Sequence, residues 1–197
     1  VTTGKAYANR KIAAARPVGD FYSTPKSLVW AAEEILLGEL PVGSTIMEPC
    51  YGKGAISDEL VKLGYKVLLN DLYSVEGGED YLLQTVGSVP GVVTNPPFSL
   101  WDEFVLKAKG HANKVVMIGR LNYLGTVGRF ASGIWNGLKL ICPFNRYVDY
   151  QTPYRVDGLF HVGAMATAWF VWDRAYSGYP MVRLLDVQRY ATLGNYK

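Results

Sequence analysis

Cysteine and histidine are scarce, with only two of each among 197 residues. Cys50 and Cys142 can form at most one bridge, which excludes a disulfide framework. Cys50 lies in a glycine-rich turn and Cys142 closes an apolar run, so the expectation is reduced thiols in a cytoplasmic protein. His111 and His161 stand apart, without the cysteine or histidine spacing of a zinc site. No apolar run approaches the roughly 18 residues of a membrane span, and the first residues lack a secretory apolar core. Charge is also sparse, at 19% of residues with a net of +3, too little by itself to imply a nucleic-acid partner. Internal repeats and low-complexity linkers are missing, which argues against an array of domains.

What is present is apolar: 49% of the residues are hydrophobic and 13% aromatic, enough for one well-packed core. The few cations are unevenly placed. Lys5, Arg10, Lys11 and Arg16 precede the first acidic residue, Asp20, and Arg120, Arg129, Arg146 and Arg155 follow in the later half. A phosphate backbone suits this placement. The chain therefore divides into a basic segment, 1–20, and a single domain, 21–197.

Patterning gives the architecture. Ala13–Ala15 can close a short helix before Pro17. Thr24 is expected to cap a helix that has Pro25 in its first turn and Leu28, Ala31, Ala32, Ile35 and Leu36 as its apolar stripe. Helices are also expected at Ala55–Leu63, Trp101–Ala108 and Phe130–Trp135. Strands are expected at Thr45–Met47, Tyr65–Leu69, Val92–Val93, Val115–Ile118, Leu138–Cys142 and Ala166–Trp172, with Thr45–Met47, Val92–Val93 and Val115–Ile118 buried. Arg146–Tyr150 reads as a further strand segment cut off by Pro143, Thr152–Val162 as a loop, and Val182–Leu185 as a last strand. Strands and helices alternate early and strands dominate late. This predicts a three-layer, Rossmann-like α/β fold whose mostly parallel sheet has an antiparallel strand near its end. Trp169–Trp172 reads as core, and Lys107 and Lys109 as a solvated helix end.

Two loops carry the chemistry. Glu48-Pro49-Cys50-Tyr51-Gly52-Lys53-Gly54 follows the first strand and opens a helix, the arrangement that brings backbone close to a nucleotide. Asp71 ends the next strand, near the roughly 20-residue separation expected of a ribose-binding carboxylate. The second loop is Asn95-Pro96-Pro97-Phe98, after Val92 and Val93. The prolines fix φ, lack N–H groups and restrict the residues before them. Such a loop holds an amide, a carbonyl and a ring in fixed relation, which suits a planar group bearing an amine.

Thr24-Pro25, Glu48–Gly54, Asp71, Asp80-Tyr81 and Asn95–Phe98 together resemble class I S-adenosylmethionine-dependent DNA adenine-N6 methyltransferases, especially the small phage-type enzymes, over residues 20–175. The resemblance implies a seven-stranded sheet and S-adenosyl-L-methionine as methyl donor. It implies that Phe21, Tyr22, Thr24 and Pro25 close over the methionine end, and that Glu48, Pro49, Cys50, Gly52 and Gly54 form the nucleotide turn. Asp71 and Leu72 would flank the ribose; Asp80 would accept from the donor's adenine amino group and Tyr81 would stack on that ring. Asn95 Oδ1 and the Pro96 carbonyl would accept from adenine N6–H, Pro97 would stiffen the loop, and Phe98 would stack on the extruded base. No metal is implied. Arg120, Asn122, Tyr123, Arg129 and Arg155 would contact the nucleic acid from the two later loops.

The chain departs from the family at Tyr51 and Lys53, where small or polar residues are common, and at Phe98, where tyrosine is common. Its target-recognition segments are short, so specificity is short or relaxed, or another subunit supplies it. Adenine in RNA, a protein glutamine amide, and a non-catalytic binding subunit are the alternatives to DNA adenine.

Overall fold

The computed structural model describes residues 24–72, 77–148, 150, 165–187 and 189. The basic segment, Ala13–Ala15, Phe21, Tyr22, Arg155, His161 and the expected 152–162 loop lie outside the described residues.

Seven strands form one sheet: β1 Thr45–Glu48, β2 Lys66–Leu69, β3 Val89–Thr94, β4 Ala112–Arg120, β5 Leu138–Pro143, β6 Thr167–Asp173 and β7 Met181–Val182. Their order is β2-β1-β3-β4-β6-β5-β7. β2, β1, β3 and β4 are parallel neighbours, and β6 is antiparallel to both β4 and β5. β7 runs parallel to β5, so β6 is the one reversed strand of the seven. The expected seven-stranded, mostly parallel sheet is the one observed.

Alternation along the central strands sorts their side chains into two cores. Val93, Val116, Ile118, Trp169 and Val171 pack on one face with α1 Lys26–Ala31, α2 Glu33–Glu39 and α3 Ser57–Lys62. Val92, Val115, Met117, Phe170 and Trp172 pack on the other with α4 Trp101–His111. Each fully buried aliphatic or phenyl side chain contributes about 1.5–3 kcal/mol. A strand buried on both faces reads as a continuous apolar run, as β6 does with Ala168 through Trp172.

Several boundaries differ from expectation. The helix after Pro25 breaks at Ala32 into α1 and α2, and Thr24 does not cap it. The short helix α5 is Val127–Ala131 and not Phe130–Trp135, because Gly133 adopts φ +70 and residues 132–137 turn back. Arg146–Tyr150 contributes only the isolated bridge from Val148 to Met165; Pro143 ends β5, and bends at Asn145 and Arg146 follow. Cys50 and Cys142 are both free thiols.

Candidate active site

β3 lies beside β1, so the loops leaving their carboxyl ends are neighbours. Asn95, just past β3, donates from Nδ2 to Thr24 Oγ1 at 3.0 Å. This bond turns Oδ1, the acceptor half of the amide, away from Thr24. Thr24 is 8% exposed and precedes α1, which is tied to the sheet by the Trp169 indole donating to the Leu28 carbonyl at 2.9 Å. Pro97 has φ −52 and ψ 123, and Phe98–Leu100 makes one tight turn into α4. Tyr123 Oη donates to the Phe98 carbonyl at 2.8 Å. One turn later Trp101 Nε1 donates to the Ile118 carbonyl at 2.8 Å. The loop and the start of α4 are thereby bound to β4, to the segment before α1 and to the chain after β4.

The glycine turn is equally constrained. Gly52 and Gly54 have φ +56 and +79, and a Cβ at Gly54 would stand 2.9 Å from Tyr51 Oη. Gly52 N–H donates to Asp71 Oδ2 at 2.9 Å, which clips the turn to the end of β2. Asn70, which no sequence motif singles out, extends the pairing. Its N–H donates to the Glu48 carbonyl at 3.0 Å, and its carbonyl accepts from Tyr51 N–H at 3.2 Å. Its side-chain amide exchanges two bonds with the Glu79 backbone, at 2.9 and 3.2 Å, and so holds the Asp80 loop against β2. Asp80 Oδ1 accepts from Leu82 N–H at 2.9 Å, and Pro49 is buried behind the turn.

Glu48 is 1% exposed, and its Oε2 has no hydrogen-bond partner among the described residues. Burial pushes its carboxyl up to about 8, against the opposing hydrogen bonds from Ser57. Burial also pushes the Cys50 thiol up. A buried acid with an unpartnered oxygen at the base of a glycine cradle suits a cationic or N–H-rich ligand, whose approach favours the carboxylate form.

No protein-family model matches this sequence, and no curated protein does. Solved structures do match. A candidate RNA methyltransferase from Pyrococcus horikoshii superposes with a TM-score of 0.61 at 16% identity, over 82% of this chain and 91% of that one. A candidate class I S-adenosylmethionine-dependent methyltransferase from Listeria monocytogenes gives 0.60 at 14% identity, over 93% and 71%. The methyltransferase subunit of a type I restriction-modification system from Streptococcus thermophilus gives 0.60 at 13%; this chain covers 89% of itself and spans only 53% of that subunit. The fold is that of the class I methyltransferases.

Within the methyltransferase fold, the sequence-derived site residues fall into two groups. Thr24, Pro25, Glu48, Cys50, Gly52, Gly54, Asp71 and Asn95 gather at the carboxyl ends of β1, β2 and β3, with Asp80 tethered nearby through Asn70. Leu72 is 48% exposed beside Asp71.

Others are placed differently from expectation. Tyr81 is 2% exposed, its ring against Phe104 and its hydroxyl 2.7 Å from His111 Nε2, so it is a core group and presents no face for stacking. Tyr123 is likewise buried, and its hydroxyl serves the Phe98 carbonyl. Arg129 is committed to Asp102 at 2.7 Å, with its guanidinium carbon 4.1 Å from the Tyr123 ring centroid. Asn122 is exposed, whereas Phe98 is 6% exposed under the Arg120 guanidinium. Lys107 and Lys109 are not a solvated end. Lys107 donates to the Gln84 carbonyl, and Lys109 to the carbonyls of Gly133 and Ile134, where burial lowers its pKa.

Proposed function

We propose that this chain transfers the methyl group of S-adenosylmethionine to the N6 amino group of adenine in DNA. The observation that carries the proposal is the Asn95 amide fixed by Thr24, at the end of the strand adjoining the Gly52–Gly54 cradle. Adenine N6 is a poor nucleophile because its lone pair is delocalised into the ring. Oδ1 of Asn95 and the Pro96 carbonyl, held by two prolines, accept the two N6 hydrogens and favour a pyramidal nitrogen. They also stabilise the positive charge that develops there. No residue has to ionise.

The cradle fits the donor. Glu48 Oε2 is a buried acceptor suited to an ammonium group, and Asp71 is placed at the strand end for ribose hydroxyls. Leu72 supplies an exposed apolar flank in place of Tyr81. Bound there, S-adenosylmethionine would supply a methyl group on a sulfonium: as N6 takes the methyl, the C–S bond electrons would leave on the thioether sulfur and the surplus N6 proton would pass to solvent. The chain's residues orient the amine, exclude water around Phe98 and hold the N6 hydrogens.

Nucleic acid is favoured over protein by the basic leader, and DNA by the likeness to a methyltransferase subunit of a restriction-modification system. Target recognition by a partner subunit belongs to the same reading. The test supplies labelled S-adenosylmethionine with DNA, RNA or protein and identifies the methylated product. N6-methyladenine from DNA is expected. Product only in RNA, or only on glutamine, would move the reaction to that polymer. Asn95→Ala is expected to slow single-turnover transfer by about 10²–10³-fold while methyl-donor affinity changes little. Normal transfer by that variant would overturn the assignment.

A further inference from the structure

Arg120 closes β4 and pairs with Thr167 of β6, which places it at the same end of the sheet as Asn95. Its guanidinium carbon lies 5.0 Å from the Phe98 ring centroid. The Phe98 ring meets Tyr150 edge-on at 5.7 Å and 83°, and Tyr150 Oη donates to Thr167 Oγ1 at 2.9 Å. Phe98 is thus packed edge-to-face with Tyr150 and covered on a face by Arg120.

The polar side of Arg120 is incomplete. Nε is buried with no hydrogen-bond partner among the described residues, and none of their carboxylates pairs with the guanidinium. Arg129 offers a comparison nearby: it also lies over an aromatic ring, yet Asp102 takes its Nε at 2.7 Å. A buried donor without an acceptor is costly and normally satisfied, so its persistence on a loop-facing residue points to an absent acceptor.

We infer that Arg120 occupies the base's seat on Phe98 in the free protein and gives it up when a DNA adenine enters, moving to a backbone phosphate. This rests on the adenine reading of the site. At 5.0 Å the guanidinium already sits in stacking contact, so no layer remains for a base between the two groups. A planar guanidinium and a nucleobase are alternative occupants of the same face. Once displaced, the guanidinium keeps all its donors, and it leaves no ion pair with a described carboxylate behind. Phosphate, which it can hold through two hydrogen bonds, is the acceptor that extended DNA brings alongside each base. Entry of the base and capture of the phosphate are then one exchange. A base without a flanking phosphate must displace Arg120 uncompensated, which discriminates against free nucleoside.

The exchange predicts opposite effects on two substrates. For Arg120→Ala, KM for 2′-deoxyadenosine is expected to fall about two- to tenfold, because a competing stack is gone. On a mixed-sequence DNA duplex KM should rise, and the slope of log affinity against log salt should shrink by about one. Shifts in the same direction on both substrates, or an unchanged salt slope, would overturn the inference. A second measurement uses the unaltered protein and needs no turnover. The Arg120 side-chain protons should be ring-current-shifted in the free protein and lose that shift when the duplex saturates it. Persistence of the shift in the saturated complex would sink the inference whatever the activity. If no substrate yields methyladenine but DNA still releases the shift, the adenine reading falls and the exchange at Phe98 stands.

Discussion

Glu48 is the residue whose ionisation the fold controls most strongly. Its carboxyl is pushed up to about 8, above the ordinary value of 4.5, so the folded protein binds a proton that the unfolded chain releases. Stability from this group is therefore complete below about pH 4.5 and declines as pH rises to about 8. Glu48→Gln should flatten that part of the curve of melting temperature against pH. Ligand binding has the opposite sign: a cationic group beside Glu48 favours the carboxylate, so methyl-donor affinity should fall as pH drops below about 8. Calorimetry in buffers of different ionisation enthalpy would detect the accompanying proton release below that pH, and none should occur in Glu48→Gln. His111 acts from the other side. Burial, Lys107 and Arg174 lower its pKa from 6.5, so its neutral form supports the fold and that support is lost on acidification below about 6.5.

At the scale of elements, the Asn95–Phe98 loop depends on how α4 is seated. Gly119 allows this, because a Cβ there would stand 2.6 Å from Trp101 Nε1 and would break into the bond to Ile118. The indole is 1% exposed and cannot yield, so Gly119→Ala should cost about 1–3 kcal/mol in denaturant unfolding, with slower turnover as Phe98 is displaced. Tyr123→Phe makes a smaller change, removing one hydrogen bond to the Phe98 carbonyl. About 1 kcal/mol of stability should be lost, with the single-turnover rate reduced more than methyl-donor affinity. The expectation that Tyr123 and Arg129 face substrate misread this segment. A loop rich in Arg, Asn and Tyr has the composition of a nucleic-acid surface, but Asp102 and the Phe98 carbonyl, both distant in sequence, claim two of those side chains.

Over the whole molecule, the strand-and-helix order was legible because parallel strands buried on both faces are uninterrupted apolar runs. Their ends were less so. β4 begins at Ala112 and not Val115, since Ala112, Asn113 and Lys114 have no apolar pattern, and pairing with β3 and β6 extends the strand through them. The two site loops were legible from glycine and proline, whose backbone restrictions are local. Asn70 was not, because the Glu79 backbone that it clasps comes near only through folding. Tyr81 was misread for the same reason: its partners, Phe104 and His111, arrive on α4. The first helix also depends on distant chain, through Trp169. Trp169→Phe should lower stability by about 1–3 kcal/mol and loosen Thr24, seen as faster amide exchange in α1 and slower methyl transfer.

The aromatic packing behind the loop also makes an optical reporter. Trp135 and Trp172 stack at 6.3 Å with their planes 7° apart, and Trp101 lies 5.8 and 5.7 Å from them. Indoles so close and so fixed couple their electronic transitions, and near-ultraviolet circular dichroism should be strong in the native state. Trp30, bonded to Glu59 across α1 and α3, lies outside that stack. Its fluorescence offers a separate signal from the helices on the opposite face of the sheet. A variant that loosens one face of the sheet should therefore change one signal before the other.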